Sequence, residues 1–275
     1  MDTITGTAAG VPFTALPPVG STAGPASLIV TWHMLDAPRT DAAFAAALPM
    51  AEVPAWRVHL GMPLCGARMV DGRLDAHIER AREDALQAYF VPVIRQAVEE
   101  FPAALAALRD QLSLDAGPIG LLGGSLGGAV ALQVLAEQQT PVRAVALVNA
   151  AVRVRTAVGL VEGLLGQTYQ WTDEAHASAD HLDFVARSRD LATRPPLLCV
   201  SGEQDHPTVR GDAADLVDAL RQQYTNPHEV DLVTVAGLAH PLADEPGLEP
   251  APQLPATRTV DNILTQWFRR QLMDT

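Results

Sequence analysis

The sequence predicts an α/β protein with a doubly wound, mostly parallel sheet and a small helical cap insertion. Strand-like and helix-like segments alternate along the chain, and that order is typical of parallel sheets with helices on both faces. Several strand segments are nearly continuous apolar runs, as strands buried on both sides require. The clearest runs are SLIVTWH at 27–33, AVALVNA at 144–150 and PPLLCV at 195–200.

The expected elements can be followed in order, since apolar β-rich runs mark strands and wider apolar spacing marks helices. In the first half we expect strands at 11–16, 27–33 and 56–61, a helix at 41–48 capped by Thr40 or Asp41, and a long helical stretch at 75–112. Pro92 and Pro102 must kink or divide that stretch, because each proline removes a helical N–H. In the second half we expect strands at 118–124, 142–150, 195–202 and 229–237, and helices at 126–138, 208–223 and 259–273.

One segment, 153–192, interrupts the alternation. It is helix-like but carries polar and charged clusters, so we expect a small helical cap over the strand ends. No repeat and no linker divides the chain into two cores. With 48% hydrophobic residues, enough for a large core, residues 1–275 are therefore expected to form one domain.

Composition removes several classes of function. The formal net charge is -13, which argues against binding to nucleic acid or to an anionic membrane surface. All 19 basic residues are arginine, so lysine Schiff-base chemistry and the P-loop lysine are ruled out. Two cysteines, Cys65 and Cys199, are too few for a disulfide scaffold. The first ten residues lack the basic and apolar regions of a signal peptide, and no apolar run has membrane-spanning length, so we expect a cytoplasmic protein.

A glycine-rich stretch joins a predicted strand to a predicted helix. The stretch reads Gly123-Gly124-Ser125-Leu126-Gly127. A G-x-S-x-G sequence between a strand and a helix is typical of a nucleophile elbow, in which a strained serine stands exposed above the sheet. Glycine at 123 and 127 lets the two backbones approach closely, and the positive end of the helix points at the serine.

A nucleophilic serine needs a base, and that base needs an orienting acid. His240 follows the last predicted strand, and Asp205 follows the strand that ends near Ser201. Together with Ser125 these residues come after three different parallel strands, whose carboxyl ends meet at one edge of a sheet. Glu203 is the nearest competitor of Asp205. We predict Ser125, His240 and Asp205 as the catalytic residues.

On these motifs, the chain resembles the α/β-hydrolase superfamily, in particular serine esterases related to dienelactone hydrolase and prolyl-oligopeptidase-like hydrolases. The resemblance runs from about residue 11 to 272 and is carried by TWHMLD, HLGMPLCGAR, GGSLGG, VSGEQD and GLAHPL. It implies the α/β-hydrolase fold, with Ser125 as nucleophile, His240 as general base and Asp205 as its orienting acid.

The resemblance also implies two backbone N–H groups that form an oxyanion hole. One belongs to Leu126. The other comes from the loop after His33, where the family usually reads His-Gly-X; this chain reads His33-Met34-Leu35, which makes Leu35 the matching donor. Met34 stands in place of the glycine, so the loop must be built differently if that glycine needs a positive φ, and Met34 could itself be the donor or narrow the acyl pocket. His33 is expected to support this loop.

Residues 153–192 contain further candidates. Tyr169 and Trp171 either roof the substrate pocket or anchor the cap to the core. The spacing of His176 and His181 suits one metal ion poorly, and we expect a solvated acidic surface there rather than a metal site.

The sequence therefore predicts a cofactor-free serine hydrolase that acts on small-molecule carboxylic esters, with small or medium acyl groups because the cap is short. A peptidase or thioesterase using the same residues is the alternative, because acyl-transfer chemistry is shared among them. A non-catalytic binding protein on the same scaffold is a third. The sequence leaves monomer and homodimer open.

Overall fold

The computed structural model describes residues 3–20, 24–73, 75–191 and 194–273. Eight strands in these residues belong to one sheet. Their bounds are β1 Ile4–Ala8, β2 Val11–Leu16, β3 Leu28–Trp32, β4 Trp56–Leu60, β5 Ile119–Gly124, β6 Val142–Val148, β7 Leu197–Gly202 and β8 Val230–Val235. Across the sheet the order is β1-β2-β4-β3-β5-β6-β7-β8.

The sheet is mostly parallel, as the sequence predicted. From β4 to β8 every neighbouring pair runs in parallel, and only β1 and β2 introduce antiparallel pairs. The sequence reading missed β1, because four of its five residues are exposed and it has no buried apolar run. As an edge strand it gains its order from pairing with β2.

The described helices cover both faces of the sheet. Their bounds are α1 Asp41–Ala47, α2 Asp75–Asp84, α3 Val91–Gln111, α4 Leu126–Glu137, α5 Val154–Leu165, α6 Asp173–His181, α7 Pro207–Arg221 and α8 Pro255–Met273. One core cluster packs α1 and α8 against one face, and a larger cluster joins α3, α4 and α7 to the other. No described helix combines the length and the apolar character that a membrane crossing requires.

The long helical stretch is divided at Asp84 rather than at a proline. The Asp84 carboxylate accepts hydrogen bonds from the N–H groups of Leu86 and Gln87, and a π-helical turn follows at Ala85–Phe90. Pro92 lies in the first turn of α3, where its missing N–H has no cost. Pro102 lies inside α3, which continues through it.

The segment between β6 and β7 is helical, as predicted, and consists mainly of α5 and α6. Its two ends meet, because Arg153 and Asp183 form an antiparallel β-bridge and Phe184 donates its N–H to the carbonyl of Val152. Residues 192 and 193, at its far end, lie outside the described residues. Helix α5 borders the cavity that contains Ser125.

Candidate active site

Ser125 occupies the sharp turn between β5 and α4. Its backbone has φ 47° and ψ -120°, a conformation that is strained for any residue other than glycine. The turn is held by three backbone hydrogen bonds: Ser125 donates to the carbonyl of Val148 and accepts from the N–H groups of Gly128 and Ala151. The strain predicted for this serine is thus present, and its surroundings maintain it.

Close backbone packing explains the two glycines of the turn. A Cβ atom at Gly123 would lie 2.2 Å from the carbonyl oxygen of Gly127, and one at Gly127 would lie 2.3 Å from the carbonyl oxygen of Trp32. Both distances are far below any tolerated contact. Strand β5, helix α4 and the loop after β3 can therefore meet beneath Ser125 only if these positions carry no side chain.

The structure brings Ser125, His240 and Asp205 together in one hydrogen-bonded chain. His240 Nε2 lies 2.9 Å from Ser125 Oγ, and His240 Nδ1 lies 3.0 Å from both carboxylate oxygens of Asp205. Because an ionised carboxylate only accepts, Nδ1 carries the ring proton. Nε2 then has a free lone pair that accepts the hydroxyl proton of Ser125.

Asp205 is the acid that faces the histidine, and Glu203 is not. The Asp205 side chain is 1% exposed and also accepts the N–H of His206 at 2.6 Å. Glu203 is exposed and accepts the N–H of Gly237 instead. His206 forms the cap of α7, where its Nδ1 lies 2.8 Å from Thr208 Oγ1.

The pKa of His240 is raised above its ordinary value of 6.5. Burial alone would lower this pKa, since it disfavours the charged imidazolium. The hydrogen bond to Asp205 and the negative charges of Asp205 and Asp36 together outweigh that effect. The site therefore favours a proton on His240, as a base that must take one from Ser125 requires.

Asn149, at the end of β6, holds the loops that carry His240 and Asp205. Its side-chain N–H₂ donates to the carbonyls of Ala239 and His240 at 2.9 and 3.0 Å, and its oxygen accepts the N–H of Gly202 at 2.8 Å. The residue is 2% exposed and has a φ of 46°, a left-handed conformation that asparagine tolerates better than most residues. The sequence reading missed it; its only sequence signal is a lone amide at the end of an apolar strand.

His33 and Arg39 fix the loop that carries Leu35. His33 Nε2 accepts the N–H of Met62 at 3.0 Å, so the ring proton is on Nδ1, which donates to the carbonyl of Met34 at 2.7 Å. In a trans peptide the Leu35 N–H points away from the Met34 carbonyl, and hence away from the His33 ring. Arg39 donates to the Leu35 carbonyl.

Met34 takes a different place from the one suggested by its sequence position. Its side chain is fully buried and packs beneath the turn, where a Cβ at Gly124 would lie 2.9 Å from Met34 Cγ. It does not line the cavity beside Ser125. Met34 has no positive φ, so the loop accommodates a side chain without left-handed backbone. The long apolar side chain gains more by filling the core than by facing the opening.

Tyr169 and Trp171 anchor the cap instead of lining this cavity. The Tyr169 hydroxyl donates to Asp84 Oδ1 at 2.7 Å, and the two rings pack edge to face with centroids 4.9 Å apart. Trp171 also stacks on His176 and lies 4.2 Å from the Arg155 guanidinium. Of the two readings left open by the sequence, their contacts match the anchoring one.

A cavity of about 1050 Å³ opens above Ser125. Its walls come from the loop after β3, from α5, from the start of α7 and from the loop around His240. Leu35, Leu126, Asp205 and His240 all border it. So does Asp36, whose Oδ2 lies 3.5 Å from His240 Nε2; sequence reasoning did not single this residue out.

The sheet order, the strained serine and the hydrogen-bonded Ser–His–Asp chain at the carboxyl ends of the strands are those of the α/β-hydrolase fold. Solved structures share the fold. A Thermus thermophilus protein, TT1662, superposes with a TM-score of 0.65 at 22% identity, covering 98% of this chain and 99% of its own. An esterase domain of a Rhodothermus marinus protein superposes with a TM-score of 0.59 at 18% identity, and the match covers 98% of both chains.

A puromycin-hydrolyzing peptidase of Mycobacterium tuberculosis gives a TM-score of 0.67 at 14% identity; it matches over 98% of this chain, which spans only 39% of that peptidase. A comparison with curated proteins gives no significant match. The model of the prolyl oligopeptidase family matches residues 95–267, more than half of the sequence. The chain therefore belongs to the prolyl oligopeptidase family and is a serine hydrolase.

Proposed function

We propose that this hydrolase cleaves carboxylic esters through an acyl-enzyme intermediate on Ser125. The observation that carries the proposal is the hydrogen-bonded chain from Ser125 through His240 to Asp205 at the base of an open cavity. The nucleophile, the base and the orienting acid are each within hydrogen-bond reach of the next, which is the geometry that nucleophilic acyl transfer requires.

In the first half of the reaction, Ser125 Oγ attacks the acyl carbon while His240 Nε2 takes the hydroxyl proton. Asp205 keeps the other ring proton on Nδ1 and stabilises the imidazolium. The carbonyl oxygen becomes an oxyanion, to which the N–H groups of Leu126 and Leu35 donate. Leu126 is the first residue of α4, so its N–H has no acceptor within the helix. One such donor is typically worth about 3 kcal/mol.

The intermediate then collapses. The C–O bond to the alcohol breaks, and the imidazolium gives its proton to the leaving oxygen. A water molecule enters, His240 removes one of its protons, and the hydroxide attacks the acyl carbon of the ester on Ser125. Return of the proton to Ser125 Oγ releases the carboxylic acid and restores the free enzyme.

Two kinds of substrate are supported by different observations. The likeness to the Rhodothermus marinus esterase domain supports an ester, and the short cap supports small or medium acyl groups. The family match and the likeness to a peptidase support an amide as the second candidate. We favour the ester, because an alkoxide leaves from a tetrahedral intermediate more readily than an amide nitrogen.

The test is hydrolysis of matched butanoyl substrates, an ester, a thioester and an anilide, by the wild-type chain and by Ser125→Ala. We expect the ester to give the highest kcat/KM, and Ser125→Ala to lower it at least about a thousandfold without changing the unfolding midpoint. Ser113→Ala, at an exposed serine outside the cavity, is the control. Faster cleavage of the anilide would replace the ester assignment with the peptidase one. Undiminished hydrolysis by Ser125→Ala would contradict both.

A further inference from the structure

Asp36 is the one carboxylate on the open side of His240 in the described cavity. Its Oδ2 lies 3.5 Å from His240 Nε2, the nitrogen that faces Ser125 Oγ at 2.9 Å. The side chain is 48% exposed and follows Leu35 directly in the loop after β3. A negative charge thus stands beside the place where the scissile bond must lie.

Within the described residues, no arginine neutralises this charge. Arg39 borders the same cavity, but its guanidinium already forms an ion pair with Glu245 at 2.6 Å and donates to the carbonyls of Pro246 and Leu35. The chain contains no lysine. In its neutral form His240 has no proton on Nε2 to donate to Asp36, so the contact is unfavourable until a proton or another cation arrives.

The other arginine that borders the cavity is also neutralised. Arg153 forms ion pairs with Asp212 at 2.5 Å, with Asp215 at 2.8 Å and with Asp183 at 3.5 Å. Three carboxylates therefore surround one guanidinium, and the whole chain carries a formal charge of -13. With both arginines paired, the charge left on the cavity wall is that of Asp36. A negative wall concentrates cations and repels anions, so anionic substrates are disfavoured here.

Another part of the cavity wall is largely apolar. It is formed by α5, whose Ala157, Leu160, Val161 and Leu164 border the cavity. Leu164 is 84% exposed, which places apolar surface in the open cavity rather than in the core. A substrate body that rests here would be apolar, with its charge at the end near Asp36.

We propose that Asp36 selects substrates whose scissile ester is flanked by a cationic amine, with an apolar body against α5. This inference rests on the proposed function. Since the Asp36 and Ser125 side chains both contact His240 Nε2, an ammonium group two or three bonds from the reacting carbonyl reaches the carboxylate. The amine can belong to the acyl group, as in an amino-acid ester, or to the alcohol, as in an amino-alcohol ester.

The experiment compares kcat/KM for two pairs of esters near neutral pH. In the acyl pair, phenylalanine ethyl ester is compared with ethyl hydrocinnamate, which lacks only the amine. In the alcohol pair, dimethylaminoethyl butanoate is compared with isopentyl butanoate, which has carbon in place of nitrogen. Each pair is measured with the wild-type chain, with Asp36→Asn and with Asp244→Asn, a matched loss of charge at an exposed residue outside the cavity.

We expect the wild-type preference for the cationic member of one pair to fall about tenfold in Asp36→Asn, and to be kept in Asp244→Asn. Added salt should lower the wild-type preference and leave that of Asp36→Asn unchanged, because salt screens the ion pair. The pair that responds identifies the side of the ester that carries the amine. An equal preference in Asp36→Asn and the wild-type chain for both pairs would overturn the proposal. Hydrolysis of the neutral esters would continue in that case, whereas failure of the proposed function would remove it.

Discussion

The imidazole of His240 has two sides that are built differently. On its buried side, Asp205 and Asn149 are almost fully enclosed, and their polar atoms are hydrogen-bonded to the ring or to the backbone of neighbouring loops. On its open side, Asp36 is half exposed and has no such partner within the described residues. The buried side thus fixes where the ring lies, whereas the open side leaves charge and hydrogen-bonding capacity for a substrate.

The largest effect that would test this contrast is expected from Asn149 on the buried side. Asn149→Ala removes three buried hydrogen bonds and puts a less tolerant residue at a φ of 46°. We expect kcat/KM to fall roughly 10- to 100-fold and the free energy of unfolding to fall by about 2–4 kcal/mol. Asp205→Asn removes the acid itself and should lower kcat/KM further, so it serves as the reference variant.

Asn149→Gly separates the two contributions of this residue. Glycine accepts the positive φ but makes none of the side-chain hydrogen bonds. If the hydrogen bonds position His240, the glycine variant loses as much kcat as the alanine variant at a temperature where both are folded. Activity within about twofold of the wild-type value in both variants would show that the buried side does not control the ring.

A smaller effect is expected on the open side, in the pH dependence of hydrolysis of a neutral ester. Catalysis needs the neutral form of His240, and the pKa of this residue lies above 6.5, so activity should be lost as the pH falls through that raised pKa. Asp36 favours the imidazolium, and Asp36→Asn should therefore lower the pKa and move the acid limb of kcat/KM to lower pH.

Asp244→Asn serves as the control for a general loss of negative charge, and its acid limb should coincide with that of the wild-type chain. An unchanged limb in Asp36→Asn, or one at higher pH, would mean that Asp36 does not act on the His240 ring. The open side would then exert no electrostatic effect on His240.

Some residues of the site can be predicted from the sequence and others cannot. Ser125, Asp205 and His240 could be placed together because each follows the end of a different parallel strand, and strand order brings those ends to one edge. The roles of these residues stay predictions until they are tested. The role of Asn149 could not be predicted, because its partners Gly202 and Ala239 are distant in sequence and are backbone groups that carry no residue-specific signal.

The fold was predictable where burial leaves a pattern and not elsewhere. Strands β5 to β7 were recognised from their apolar runs, whereas the exposed β1 was missed. Met34 shows a different limit: its position after His33 suggested the pocket, but the direction of its side chain depends on the space beneath Gly124. Asp36 was missed since a single loop carboxylate looks like any solvated one until its distance to His240 is known.

Every step of the proposed reaction depends on Ser125 as the nucleophile of an acyl-transfer site. The most direct measurement is labelling of the folded chain with a fluorophosphonate, followed by mass-spectrometric mapping of the modified residue. If Ser125 is the nucleophile, we expect one label per chain on Ser125, loss of ester hydrolysis in step with labelling, and no label on Ser125→Ala. Modification of another residue, or an unlabelled wild-type chain, would contradict it; the second result would instead indicate a binding protein on a hydrolase scaffold.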